Sequence, residues 1–323
     1  MNNTARFICF TCFLFSSLVQ AAPAPLPTTP PTIISPKTVS TITSTITPPT
    51  PQAKVTYAPV DSRPYFDIPI TYNAKVRTWI SYFQGDGRKW FQKWLERSHR
   101  YLPPMQKQLK AMGLPQDLAY VAMIESGFSS QAVSSADAVG YWQFMAATAN
   151  RYGLKTTWWI DERKDFTKST IAAAKYLGDI YKIFDSWYLT AASYNMGENK
   201  MRRLVQKHGT KNFWVLAKKD DFPRETRDYI PKLIATMLIA KAPRLYGFYN
   251  VKPLAPYKYE YFHVPGGFDL TNLSANTGLD YEDLATLNPE LVKGFVPAFV
   301  KTHKIRIPSG SLPIVSKYVR STL

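Results

Sequence analysis

The sequence predicts a mainly α fold followed by a small α+β module. Three observations predict it. Apolar residues recur at helical spacing from residue 72 to about residue 250. Strand-like alternation of aromatic and β-branched residues begins only at Tyr259. Of 323 residues, 45% are hydrophobic and 20% charged, enough for a core in about two domains.

The amino terminus reads as a targeting segment. Met1–Arg6 ends in a positive charge, and Phe7–Val19 is an apolar run too short to span a bilayer. Val19-Gln20-Ala21 supplies small residues at the −3 and −1 positions, so residues 1–21 are expected to be a signal peptide cleaved after Ala21. A buried amphipathic helix is the alternative, but no polar face interrupts the run. Cys9 and Cys12 are the only cysteines, and both lie in this segment outside any lipobox context. The mature chain is therefore expected to have no disulfide, no thiol chemistry and no lipid anchor. Residues 22–60 contain ten Pro, ten Thr, two Lys and no acidic residue, the composition of a disordered, extended tether.

Helices follow. Val76, Trp79, Ile80 and Phe83 share one face; Gly85-Asp86-Gly87 breaks the chain; Trp90, Trp94 and Leu95 open a second helix, which Pro103-Pro104 is expected to end. Pro115 starts the next, running through Leu118, Val121 and Ala122 to Ser126-Gly127. Ser169-Thr170 reads as the cap of a helix with the stripe Ile171, Ala174, Leu177, Tyr181 and Phe184. Ile230, Leu233, Ile234, Met237 and Leu238 mark the last long helix. Residues 65–250 thus form one all-α domain, and Lys252–Tyr257, with two prolines, is the joint. Beyond it, Tyr259–Val264 reads as a strand, Leu270–Thr277 and Tyr281–Leu287 as short helices, and Ile305 and Ile307 as a closing strand. This order makes residues 256–308 an α+β module.

Charge narrows the partners. The net charge is +17, and residues 70–250 carry 28 basic and 15 acidic side chains against 5 and 6 in residues 256–309. One reading is a solvated basic surface; the other is an anionic partner, whether nucleic acid, a membrane or a glycan polymer. Export argues against nucleic acid. Four scattered histidines give no metal-ligand spacing, and no cofactor or metal is expected. Neither G-x-S-x-G nor G-x-x-x-x-G-K-[ST] occurs, so serine hydrolase and P-loop readings lack support.

Glu125 is the informative residue. It lies seven, four and three positions after Leu118, Val121 and Ala122, and so points with the apolar stripe. No Lys or Arg occurs between Lys110 and Arg151, so the local sequence offers it no ion pair. A carboxyl in such a setting stays protonated at higher pH, which suits a general acid. From periodicity alone, a helix-end glutamate turned out to water remains open. Gly140-Tyr141-Trp142-Gln143-Phe144, Trp158-Trp159 and Ser193-Tyr194-Asn195 add aromatic faces and amides. Singly these suit a core; together they suit the apolar faces and polar edges of sugar rings.

Four ordered segments carry a resemblance: Glu125-Ser126-Gly127-Phe128, Gly140-Tyr141-Trp142-Gln143, Ser193-Tyr194-Asn195 and Glu225-Thr226-Arg227-Asp228-Tyr229. Together they resemble the lytic transglycosylase (SLT domain) family over roughly residues 65–308. The resemblance implies a lysozyme-like α fold and cleavage of the β-1,4 bond between N-acetylmuramic acid and N-acetylglucosamine in peptidoglycan, leaving 1,6-anhydromuramoyl ends. It implies that Glu125 is catalytic acid and then base, that Ser126, Gln143, Tyr194 and Asn195 line the saccharide site, and that Tyr229 orients Glu125. The chain has Gly-Tyr-Trp-Gln where the family commonly has Gly-Leu-Met-Gln, so larger aromatics are expected to narrow a subsite. Leu270–Gly278, Leu284–Pro289 and Ile305–Pro308 are similar to a LysM repeat, with Gly266-Gly267-Phe268-Asp269 in place of Gly-Asp-Thr. The implied partner is the glycan strand of the cell wall, the implied location the periplasm or wall, with no stable membrane insertion once the signal is removed. Two other functions compete: a water-using murein hydrolase with Asp137 as second carboxylate, and a weakly active wall-binding protein.

Overall fold

The computed structural model describes residues 64–322; the segments read from the sequence as a signal peptide and a tether lie outside the described residues. The mainly α fold with a small α+β module is what the structure has.

Helices α1 (Ala74–Gln84) and α2 (Arg88–Ala111) form a hairpin that buries Val76, Ile80 and Phe83 against Phe91 and Leu95. Asn73 caps α1 by accepting from the Val76 amide at 3.1 Å. Contrary to the expected stop, α2 runs through Pro103 and Pro104. Two missing amide donors and ring crowding cost several kcal/mol in isolation. The continuous stripe Phe91, Leu95, Tyr101, Met105 and Leu109, all buried, outweighs that local penalty.

A 3-10 turn, Gln116–Leu118, leads into α3 (Ala119–Ser126), whose residues 119–124 are all buried. Gly127 ends α3 at φ 59°, a left-handed position that glycine adopts without strain. The segment 133–144 makes small bridges, Val133 with Val139 and Val139 with Phe144. After α4 (Ala146–Arg151) comes α5 (Phe166–Phe184). Its cap is Asp165, whose Oδ1 accepts from the Thr167 and Lys168 amides at 2.8 Å. Ser169 and Thr170 lie buried one turn inside, donating back to the Asp165 and Phe166 carbonyls. A carboxylate at a helix start also meets the favourable end of the dipole, so Asp165 takes the role that the sequence offered to the Ser-Thr pair. Helices α6 (Trp187–Met196), α7 (Glu198–His208), α8 (Phe213–Leu216) and α9 (Arg224–Lys241) complete the bundle.

A strap then runs back along α2, with the Leu254 amide on the Glu96 carbonyl at 2.9 Å and Arg100 on the Ala255 carbonyl at 2.7 Å. The module pairs β1 (Tyr259–Pro265) with β2 (Thr302–Pro308) antiparallel, Phe262 opposite Ile305, around α10 (Leu270–Thr277) and α11 (Tyr281–Leu287). A further helix, α12 (Leu312–Thr322), buries Val315 in the same core.

The seam between bundle and module is buried. Ile160, from the bundle side, belongs to the module's apolar core, and Trp159 packs on Phe295 at 5.1 Å. Arg306 on β2, 3% exposed, forms a two-point ion pair with Asp165 at 2.9 and 3.0 Å. Burial opposes the Asp165 charge, but Arg306 more than offsets this and holds the carboxyl below its ordinary range. The residue that starts α5 is thereby tied to the last strand of the module.

Candidate active site

Three helix ends converge. Glu125 sits at the carboxyl end of α3, Tyr194 and Asn195 at that of α6, and Tyr229 one turn into α9. The Tyr229 phenol donates to Glu125 Oε1 at 2.5 Å. Thr226 donates to Asn195 Oδ1 at 2.7 Å, and the Asn195 amide donates to Glu225 at 3.3 Å. Tyr194 donates to the Trp142 carbonyl at 2.7 Å, tying α6 to the 139–144 turn.

Glu125 is half-buried, and its pKa is raised to about 7. Burial is the main cause. The Tyr229 hydrogen bond and the charge of Lys232 pull the other way, and the Glu225 carboxylate pushes it up again. Lys232 is the cation that local sequence could not show: α9 brings its ammonium to 3.1 Å from the Ile124 carbonyl. Tyr194 and Tyr229 are pushed far above the ordinary phenol range by burial first and by Glu125 next, so both act as donors.

Ser126 and Gln143 lie close by but turn toward backbone. Ser126 donates to the Tyr141 carbonyl at 2.8 Å and accepts from the Ser129 amide at 3.2 Å. Gln143, at φ 49° and 9% exposed, spends its amide on the Gly140 and Ala132 carbonyls at 2.9 and 3.1 Å. These bonds shape the loop that faces Glu125. Gly140 is required there, because a Cβ would meet the Arg163 carbonyl at 2.1 Å. Tyr141 and Trp142 do not narrow a subsite: they are 1% and 0% exposed, and the Trp142 indole donates to Thr170 at 3.0 Å. Tyr141 packs on Tyr101 and Phe166, and Trp142 on Tyr194.

Three other carboxylates of the bundle that a second acid could draw on are paired. Asp161 pairs with Arg163 at 2.8 Å, Glu162 with Lys168 at 2.7 Å, and Glu198 with Arg151 at 3.1 Å and Tyr176 at 2.8 Å. Asp137 is exposed, and its backbone closes the Ser134–Ala138 turn at φ 62°. It is Glu225, which the sequence offered only as part of a motif, that reaches the field of Glu125. Among the described residues no group of His, Cys, Asp and Glu could hold a metal, and no helix is long and apolar enough to cross a membrane.

Residues 103–217 match the transglycosylase SLT domain family, and residues 259–321 match the LysM-like domain of lytic transglycosylase MltD. The SLT match includes Glu125, Ser126, Gln143, Tyr194 and Asn195, whereas Tyr229, Lys232 and most of the α1–α2 hairpin lie outside it. The chain is 30% identical over 197 residues to membrane-bound lytic murein transglycosylase D of Escherichia coli K12, and equally to that of the O6:H1 strain. The alignment covers 59% of this chain and 43% of the relative, so the chain spans less than half of the length of these two relatives. An X-ray structure of an inactive mutant of lytic transglycosylase Slt from Pseudomonas aeruginosa is similar at 21% identity and a TM-score of 0.38, covering 47% of this chain and 24% of that one.

Proposed function

We propose that the chain is an exported lytic transglycosylase of peptidoglycan, with Glu125 as the single acid and base. The observation that carries this reading is the half-buried Glu125, protonated to about pH 7 and held by Tyr229 at 2.5 Å. Protonated Glu125 gives its proton to the glycosidic oxygen as the C1–O bond of the muramoyl residue breaks. The substrate's own N-acetyl oxygen supports the positive charge at C1, as in substrate-assisted glycosidases. Ionised Glu125 then takes the proton of the C6 hydroxyl, whose oxygen bonds to C1. Glu125 is regenerated and no water is consumed. The hydroxyl is already in place, so its attack avoids the entropy of recruiting a water.

Tyr229 orients the acid, Tyr194 and Asn195 face the saccharide, and Ser126 and Gln143 fix the loop that forms the wall. Residues 65–250 hold the chemistry, and residues 256–308 are the core of a LysM-like module that adds wall affinity. Cleavage after Ala21 without lipidation delivers the protein to the periplasm; amino-terminal sequencing of the mature protein tests this, and an acyl group on Cys9 or Cys12 would refute it.

The deciding experiment is mass spectrometry of products from purified sacculi. An anhydro end is lighter than a reducing end by one water. Glu125→Gln is expected to lose on the order of a hundredfold to ten-thousandfold in rate, the usual size for one acid–base group. Reducing ends would instead assign a water-using hydrolase.

A further inference from the structure

The face of α2 that passes the end of α3 is built around Gly127, two residues after Glu125. Arg97 donates to the Gly127 carbonyl at 3.1 Å. The Trp94 indole lies so close that a Cβ on Gly127 would come within 2.1 Å of its Nε1. From the other side, the Lys232 ammonium sits 5.8 Å from the ring centres of both Trp79 and Trp94. Trp79, Trp94, Arg97 and Lys232 are all half-buried, and none lies in the segment that matches the SLT domain.

On α2, Lys93 lies one turn before Arg97 and Glu96 is the helix's only acid, while Arg88 and Arg100 bond the Gly247 and Ala255 carbonyls. Among the described residues no carboxylate lies within ion-pair distance of Arg97. Arg97 meets the Gly127 carbonyl with one of its nitrogens, and Lys232 meets the Ile124 carbonyl. A guanidinium has five donors in a planar fork, a geometry that matches a carboxylate.

We infer that Arg97, with Trp94 and Lys232, binds the anionic peptide carried by the muramoyl residue on which Glu125 acts, so that the enzyme favours peptide-bearing strands. This rests on the lytic transglycosylase reading above. The peptide leaves the same sugar ring whose C1–O bond is broken and carries free carboxylates. A cationic shelf next to the acid is therefore within the reach of that substituent, and the indole faces offer cover to its apolar atoms.

The test compares two substrates: glycan strands with their peptides and the same strands stripped by an amidase. kcat/KM is measured by release of anhydro ends for the wild type, Arg97→Gln and Arg97→Lys, each checked by thermal melting. The wild type is expected to prefer peptide-bearing strands. Arg97→Gln should lose about tenfold to a hundredfold on them, mostly in KM, as for a hydrogen bond to a charged group. Its loss on stripped strands should be at least an order of magnitude smaller, and Arg97→Lys should recover part of the preference. Equal losses on both substrates, or none on either, would overturn the inference and leave Arg97 as a helix-end cap. A wild type that cuts stripped strands as well as peptide-bearing ones would also overturn it while leaving the enzymatic reading intact. A wild type inert on both would sink the enzymatic reading, and the inference with it.

Discussion

The Glu125 carboxyl stands between burial, which keeps its proton on, and two groups that pull the proton off, Tyr229 and Lys232. This balance sets a pH dependence. The reaction begins with protonated Glu125, so the rate should fall as pH rises through about 7. Tyr229→Phe removes a hydrogen bond that favours the carboxylate. The pKa of Glu125 should then rise, and the alkaline limb of the kcat/KM profile should move to higher pH, with some loss of rate from a looser carboxyl. An unmoved limb would mean that Glu125 is not the titrating acid. Stability carries the same signature. A carboxyl whose folded pKa lies above its unfolded value gives stability that is complete at low pH and lost as pH rises through the folded value. Glu125→Gln should therefore melt a few degrees higher than the wild type at pH 8, at about 2–4 °C per kcal/mol for a chain of this size, and the gap should close toward pH 5.

At the scale of elements, α5 is held at its start by Asp165, and Asp165 is held by Arg306 of β2. The same turn region anchors the loop of Gln143, since Arg163 donates to the Phe144 carbonyl at 3.1 Å and Trp142 bonds Thr170 of α5. Arg306→Met should leave Asp165 buried and unpaired, a change that typically costs about 3–5 kcal/mol. Arg306→Met with Asp165→Asn should recover only part of that loss: the bare charge at Asp165 is gone, but buried Glu290, 3.9 Å from Arg306, still loses its cation. Thermal unfolding of the two variants separates these cases; equal melting points would mean that Asp165 finds another partner.

At the scale of the whole molecule, the sequence invites a division of labour in which the carboxyl-terminal module only adds wall affinity. The seam argues for more. A truncation after Lys252 removes the partner of Asp165 and the core around Ile160. It should lower not only binding to insoluble murein but also the melting temperature and the turnover of soluble fragments. Turnover unchanged by the truncation would show that the bundle carries its site alone.

Much of this was legible in residues that interact with near neighbours in the chain. The stripe that places Glu125 on an apolar face, the glycine that ends α3, and the strand-helix-helix-strand order of the module all follow from local spacing. Ser193-Tyr194-Asn195 and Tyr229 could be read as parts of a site only through their resemblance to a family. The helices α6, α7 and α8 were not foreseen, because short helices are fixed by tertiary packing more than by propensity. For the same reason α2 passes two prolines that local rules would have made its end. The sequence by itself determined that Glu125 shares a helical face with apolar residues, since spacing decides which face a side chain joins, but not whether its carboxyl turns inward or out to water. Only the tertiary structure decided what surrounds it: Lys232 and Glu225 arrive from α9, about a hundred residues away, and Arg306 reaches Asp165 across 141. Charge acts through space at ranges that sequence separation does not measure.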